Sequence, residues 1–181
     1  MVITGANIIY LRKKFLKEIE NIAIIKHRNI SEIEEFNLSY TCPYDDIEKI
    51  SKYLQEELIN RKSEEFGRKQ CCVGPHRDDI EFKINGADAV KFASQGQQRT
   101  LVLALKLAEL DIIKEKTGIT PILLLDDVLA ELDDLRQNYL LNSIGSEIQT
   151  IITSVDTLLF DDKFLQDVQT LTIENGKIIS M

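Results

Sequence analysis

The stretch F-A-S-Q-G-Q-Q-R-T (Phe92 to Thr100), a leucine-rich segment after it, and P-I-L-L-L-D-D-V-L-A-E-L-D-D (Pro121 to Asp134) together decide how this chain is read. Ser94 and Gln97 have the spacing of a capping box, in which a hydroxyl satisfies a free backbone N–H and an amide reaches back. That spacing predicts a helix start. The same turn, Ser94-Gln95-Gly96-Gln97, offers uncommitted N–H donors and the positive end of a helix dipole to an anion, with Gly96 allowing close approach. In the second piece, Ile122 to Leu125 is a continuous apolar run, as expected of a strand covered on both faces. It delivers Asp126 and Asp127 at its C-terminal end. In an α/β sheet that edge is where ligands bind, and a carboxylate there can hold Mg2+ beside a nucleotide. The adjacent acid points elsewhere and is suited to orienting or deprotonating a water. The plainer alternative is two acids capping the next helix. Leu129 to Asp133 is expected to form a loop at the same edge.

Working outward, Leu101, Val102, Leu103, Leu105, Leu107 and Leu110 make the helix after Ser94 apolar on more than one side, which predicts burial between layers. Gly118 is its expected stop. Leu132 to Ile144 reads as a further helix, and Thr150 to Thr153 as a short strand. Strand, helix, strand in that order implies parallel pairing through a crossover helix, hence an α/β core. Upstream, Ile80, Phe82 and Ile84 alternate up to Asn85-Gly86, a hairpin signal that puts Val90 and Phe92 on a return strand. Leu171, Ile173, Asn175-Gly176, Ile178 and Ile179 describe a terminal hairpin. The preceding G-P-H-R-D-D (Gly74 to Asp79) reads as a hydrogen-bonded turn rather than a metal set of His76, Asp78 and Asp79.

The N-terminal part is helical. From about Ala6 to Ile30, Ile8, Leu11, Phe15, Ile19 and Ile22 recur at steps of three and four, which predicts that they form the buried face. Arg12, Lys13, Lys14 and Lys17 lie between them. They read either as a solvated face or, with Lys26, His27 and Arg28, as a surface for DNA phosphates. Phe36, Leu38 and Tyr40 suggest a strand, and Ile47, Ile50, Leu54 and Leu58 a second helix behind Asp45 and Asp46. The polar run Asn60 to Gln70 marks the expected boundary between a helical section, residues 1–70, and an α/β section, residues 71–181.

At 181 residues and 44% apolar content the chain can bury a sizeable core. Its net charge of −8 argues against a wholesale nucleic-acid coat but not against local basic contacts. Three cysteines without CxxC spacing fit a reducing compartment better than a disulfide framework. No apolar run reaches the roughly 20 residues of a membrane span, and a cytoplasmic location is expected. A G-x-x-x-x-G-K-[ST] phosphate loop is missing: the one Gly-Lys pair, Gly176-Lys177, is followed by Ile178 and has Leu171 where the first glycine belongs.

With G-P-H-R-D-D, S-Q-G-Q-Q-R (Ser94 to Arg99) and L-L-L-D-D-V-L-A-E-L-D-D (Leu123 to Asp134) in this order, the chain resembles the RecF family of recombination and repair ATPases. These are relatives of the ABC and chromosome-maintenance ATPases. The resemblance runs over essentially the whole chain and matches the C-terminal half of such a protein. It implies a C-terminal lobe of an ABC-type ATPase fold, residues 71–181, behind a section of the arm domain, residues 1–70. By position, Ser94, Gln95, Gly96, Gln97 and Arg99 look like the signature that acts on the ATP of a partner subunit. Asp126 looks like the Walker B ligand of Mg2+, and Asp127 like the catalytic acid. Ala130, Glu131, Leu132 and Asp133 look like the loop that crosses the dimer interface. The histidine that many ABC ATPases carry after the last core strand has no counterpart near Thr153 and Ser154. The family implies ATP-dependent homodimerisation on DNA, at junctions of single and double strands, with slow hydrolysis. It further implies work with RecR and RecO in repair, replication, recombination and the SOS response. Two readings from the residues alone stay beside it: a non-catalytic DNA- or protein-binding module, and a phosphoesterase using His76 and Asp126.

Overall fold

The computed structural model describes residues 2–31, 34–144, 147–155, 157, 160 and 162–180. Two long helices form its axis, α1 (Val2–Ile30) and α5 (Gln95–Thr117). Between them come β1 (Phe36–Tyr40), α2 (Ile47–Asn60), α3 (Lys62–Arg68), β2 (Ile80–Ile84), β3 (Ala87–Asp88) and α4 (Ala89–Phe92). After α5 follow β4 (Leu123–Asp126), a 3-10 turn (Leu129–Glu131), α6 (Asp134–Ser143) and β5 (Thr150–Thr153). The short α7 (Asp162–Gln166) and the hairpin β6 (Thr172–Glu174) and β7 (Lys177–Ser180) complete the described chain.

Helix α5 starts at Ser94 and stops at Gly118, whose φ of 67° fits the left-handed C-cap that glycine adopts without strain. Its apolar residues divide between two layers, as the leucine pattern requires. Leu101, Ala108 and Ile112 pack with Ile19 and Ala23 of α1, Phe36 of β1 and Ile84 of β2. Leu103 and Leu107 instead pack with Leu125 of β4, Leu129 and Leu140 of α6. Ion pairs from Lys26 to Asp111 (2.8 Å) and from Lys116 to Glu18 fix α1 and α5 as antiparallel neighbours.

The buried face of α1 differs from the expected one. Gly5, Ala6, Ile9, Ile19, Ala23, His27 and Ile30 are buried, whereas Ile8, Leu11 and Phe15 are exposed. At Gly5, α2 crosses close to α1, since a Cβ there would lie 3.2 Å from Leu54 Cδ1, and the buried stripe runs through Gly5, Ala6 and Ile9. This end of α1 shares a separate core of Ala6, Ile9, Cys42, Ile50, Leu54 and Val73 with α2 and the segments around it. Cys42 and Cys72 are buried, and all three cysteines are free thiols.

Strand β1 pairs antiparallel with β2, with Phe36 opposite Ile84 and Tyr40 opposite Ile80. Asn85 and Gly86 take the positive φ values (51° and 78°) of a tight hairpin turn. The return strand is cut short, however: only Ala87 and Asp88 pair, and Val90 and Phe92 lie in α4, both 74% exposed. The cause is local. The carboxylate of Asp88 accepts from the backbone N–H groups of Val90 (3.0 Å) and Lys91 (3.3 Å), which starts a helical turn in place of a ladder. The polar run from Asn60 also contains the helix α3, and its end is marked by Lys69 in the left-handed region. The β1–β2 ladder joins the residues before this point to those after it.

Strands β4 and β5 are parallel, with Leu123 opposite Thr150 and Asp126 opposite Thr153, as the crossover argument requires. Their sheet is covered on one face. Leu125 is buried against α5 and α6, but Ile122, Leu124 and Ile151 are 58%, 68% and 52% exposed, so the expected cover on both faces is not met among the described residues. Helix α6 begins at Asp134 rather than Leu132, because Asp133 is its N-cap. No helix among the described residues is long and apolar enough to cross a membrane.

His27, fully buried near the end of α1, stacks on Phe36 with ring centroids 5.6 Å apart. Burial pushes its pKa below the ordinary 6.5; nearby Glu34 opposes the shift and Arg136 assists it. On acidification below 6.5 the unfolded chain takes up a proton that the folded chain refuses, so folding stability falls as pH drops through that value. Denaturant midpoints should therefore decline between about pH 7.5 and 5.5, and His27→Leu should flatten that decline. The carboxylate of Asp45, held low by its hydrogen bond to Lys13, acts below this window. Leu107→Ala, at a site only 3% exposed, should cost about 2–5 kcal/mol in urea unfolding. Val102→Ala, at a site 54% exposed, should cost under about 1 kcal/mol.

Candidate nucleotide-handling site

The capping box at the start of α5 is formed. The Gln97 N–H donates to Ser94 Oγ (3.2 Å), and the Ser94 N–H donates to Gln97 Oε1 (2.8 Å). The other end of the Gln97 amide donates to Glu34 Oε1 at 2.8 Å, and Glu34 Oε2 lies 3.6 Å from His27 Nε2. The turn is thus fixed from outside by a residue just beyond α1. Ser94, Gln95 and Arg99 are exposed and Gly96 is half-buried.

Arg136 of α6, a residue the sequence reading missed, lies beneath this turn. Its Nε donates to the buried Thr100 hydroxyl (2.6 Å), which in turn donates to the Gly96 carbonyl (3.0 Å). Its Nη1 pairs with Asp133. A Cβ on Gly96 would lie 3.4 Å from Arg136 Nη2, at the edge of ordinary contact, so the guanidinium packs directly against this turn. The signature-like turn and the Ala130 to Asp133 segment are therefore joined through one side chain. Gln137, buried, braces the same segment by donating to the carbonyls of Leu129 (2.8 Å) and Leu132 (3.1 Å). Ala130 and Asp133 are exposed, and Asp133 accepts from the Arg136 N–H (3.0 Å) as the cap of α6. The Glu131 side chain lies outside the described residues. The spacing Asp133 to Arg136 was the available signal: a cap and a cation one turn later on the same helix start.

The two acids stand where the sheet edge was expected to hold them. Asp126 ends β4 opposite Thr153, the last pair of the ladder, and both acids are exposed. Asp127 adopts φ 51°, which turns its side chain away from the strand direction. Thr153 touches both: its hydroxyl donates to Asp126 Oδ1 (2.6 Å) and accepts from the Asp127 N–H (3.0 Å). The donor set is a hard carboxylate at an open edge, which fits Mg2+, an ion that keeps waters and phosphate oxygens and needs only one or two protein carboxylates.

The four basic residues Arg12, Lys13, Lys14 and Lys17 of α1 split into two pairs. Arg12 donates to the Pro75 carbonyl and to Tyr40, and Lys13 donates to the Cys42 carbonyl (2.7 Å) and pairs with Asp45 (2.8 Å). Both tie α1 to neighbouring segments. Lys14 and Lys17 are exposed. The Gly74 to Asp79 segment is a hydrogen-bonded turn: Arg77 Nε donates to the Cys71 carbonyl, Tyr40 donates to Asp78, and the Asp79 N–H donates to Thr41. Gly74, at φ 130°, occupies backbone space closed to other residues, with the His76 ring 3.3 Å from where a Cβ would sit. Among the described residues no group of three or more His, Cys, Asp or Glu side chains is arranged to hold a metal ion.

No family model matches the chain. Individual relatives do. The DNA replication and repair protein RecF of Bacillus subtilis (strain 168) is 40% identical over 185 residues, 99% of this chain and 50% of that protein. The RecF of Thermosynechococcus vestitus is 44% identical over 186 residues, 100% of this chain and 49% of that protein. The RecF of Gloeobacter violaceus is 50% identical over 134 residues, 74% of this chain and 36% of that protein. Two solved structures share the fold. The recombination mediator protein RecF-ATP of the RecFOR pathway superimposes with a TM-score of 0.81 at 33% identity, over 98% of this chain and 47% of that one. RecF-ATPrS of the same pathway gives 0.80 at 32% identity, over the same shares of the two chains. The chain spans about half the length of the curated relatives it matches. Its α/β architecture is that of a lobe of their ATPase fold. Similar in sequence along its whole length and in fold over 98% of its residues, the chain belongs to the RecF family.

Proposed function

We propose that this chain is the signature-bearing and Walker B-bearing part of a RecF-type DNA-repair ATPase. The observation that carries the reading is the arrangement of two separate ligand edges in one lobe. The Ser94 to Gln97 turn is locked to the Ala130 to Asp133 segment through Arg136, while Asp126 and Asp127 stand at the end of β4. The first edge suits the ATP of a partner subunit and the second the chain's own nucleotide, which makes the functional unit a homodimer closed by ATP.

In this reading Asp126 would hold Mg2+, which when bound neutralises phosphate charge. Asp127, turned off the strand by its left-handed backbone, is placed to orient an attacking water and to accept its proton. Ser94 and the first N–H groups of α5 supply donors and positive dipole charge to a γ-phosphate. The phosphate-cradling loop would come from the remainder of the longer protein that the relatives represent. An aspartate in place of the longer glutamate, and no histidine near Thr153 and Ser154 where many relatives of the wider class carry one, suit slow turnover.

The neighbours are RecF proteins of the RecFOR pathway, which supports RecO and RecR as partners; gapped or junction DNA as the site of action and a cytoplasmic location belong to the same proposal. Residues 1–70 would act as part of the arm and residues 71–181 as the ATPase lobe. Lys14 and Lys17, exposed on α1, are the better candidates for DNA phosphates, since Arg12 and Lys13 hold the fold. The reading as a pure binding module loses support from those internal bonds.

In the full-length protein containing this chain, ATP should drive dimerisation measurable by sedimentation, and Ser94→Arg should weaken it by at least about tenfold, equivalent to about 1.4 kcal/mol. Unchanged association of that variant would sink the trans-acting signature. Charge reversal at Lys14 and Lys17 should weaken DNA binding and flatten its dependence on salt.

A further inference from the structure

We infer that Thr153 is a positioning residue that sets both acids of the Walker B edge through one hydroxyl. The inference rests on the reading of Asp126 as the ligand of a divalent cation. Thr153 is the final partner of Asp126 in the parallel β4–β5 ladder, so the two side chains lie on the same side of the sheet edge. The direction of its two hydrogen bonds is forced by the groups involved. A backbone N–H can only donate and a carboxylate only accept, so the single hydroxyl proton must point at Asp126 while the Asp127 N–H points at the hydroxyl oxygen. The result is a one-way chain from amide to hydroxyl to carboxylate, each bond strengthening the next.

Two consequences follow for the acids. Oδ1 of Asp126 is occupied at 2.6 Å, which fixes the carboxylate plane and leaves Oδ2 as the oxygen for a cation. The Asp127 amide is pinned at 3.0 Å, which holds the φ of 51° that directs this acid away from its neighbour. Threonine suits the place because its β-branch limits χ1 and favours a strand, so the hydroxyl is already aimed. Valine has the same shape without the hydroxyl. Serine has the hydroxyl without the branch.

The test uses the full-length protein containing this chain, with ATP, and reads Mn2+ affinity from the electron paramagnetic resonance signal of the free ion. Thr153→Val should raise the Mn2+ Kd by about 10- to 100-fold, the usual cost of losing a group that orients a metal ligand. Thr153→Ser should restore affinity to within about threefold of the native protein. Native affinity in Thr153→Val, alongside loss of binding in Asp126→Asn, would overturn the role of Thr153 and leave the Walker B reading intact. Equal loss in the serine and valine variants would also overturn it, since the hydroxyl that serine keeps would then not be what sets the two acids. Native affinity in Asp126→Asn would remove the metal reading itself and this inference with it.

Discussion

The burial of α5 on two sides is the constraint on which the rest depends. One side of it, through Leu101, Ala108 and Ile112, seals against α1 and the β1–β2 sheet, and another, through Leu103 and Leu107, seals against β4 and α6. At about 1.5–3 kcal/mol for each fully buried large side chain, this helix contributes more apolar stabilisation than any polar contact in the molecule can. It also sets positions. The N-terminal turn of α5 can face outward, with Ser94 exposed, because the turns behind it are held by cores on both sides.

Polar groups then convert that placement into a defined surface. Arg136 is the main example: its guanidinium meets a buried hydroxyl at Thr100 and a carboxylate at Asp133, which ties the starts of α5 and α6 together. Glu34 works from the other side, taking the Gln97 amide while lying beside the buried His27. Thr153 does the same at the strand edge for Asp126 and Asp127. In each case a side chain distant in sequence fixes a turn that its own local sequence only permits. Rigid turns of this kind suit a site that must be complementary to a phosphate before the phosphate arrives.

Legibility in the sequence followed the range of the physics. Short-range devices were readable: the Ser94 and Gln97 box, the Gly118 stop, the Asn85-Gly86 turn and the strand that ends in Asp126 all depend on neighbours within a few residues. The face of α1 was not. Its large apolar residues at Ile8, Leu11 and Phe15 marked one stripe, but close approach of α2 at Gly5 favours the neighbouring stripe through Gly5, Ala6 and Ile9 instead. The return strand after Gly86 also misled, since alternation through Val90 and Phe92 competes with an Asp88 cap worth about 1 kcal/mol, and two unpaired, exposed residues give the ladder little to set against it. The continuous apolar run Ile122 to Leu125 hid a one-sided cover, because such a run has the same appearance whether one or both faces are sealed.

By itself, the sequence determined the class of the fold, the starts of α2 and α5, the two acids at a strand edge and the family to which these motifs point, since each is encoded in residue type at short spacing. The tertiary structure alone decided which faces are buried, which α1 cations are committed to the fold, and which side chains hold the site. Arg136, Gln137, Glu34 and Thr153 acquire their roles only when segments that lie between 5 and 63 residues away are brought within hydrogen-bond distance. No local pattern can carry that information, because a hydrogen bond is a property of two groups meeting in space and either group alone is an ordinary polar residue.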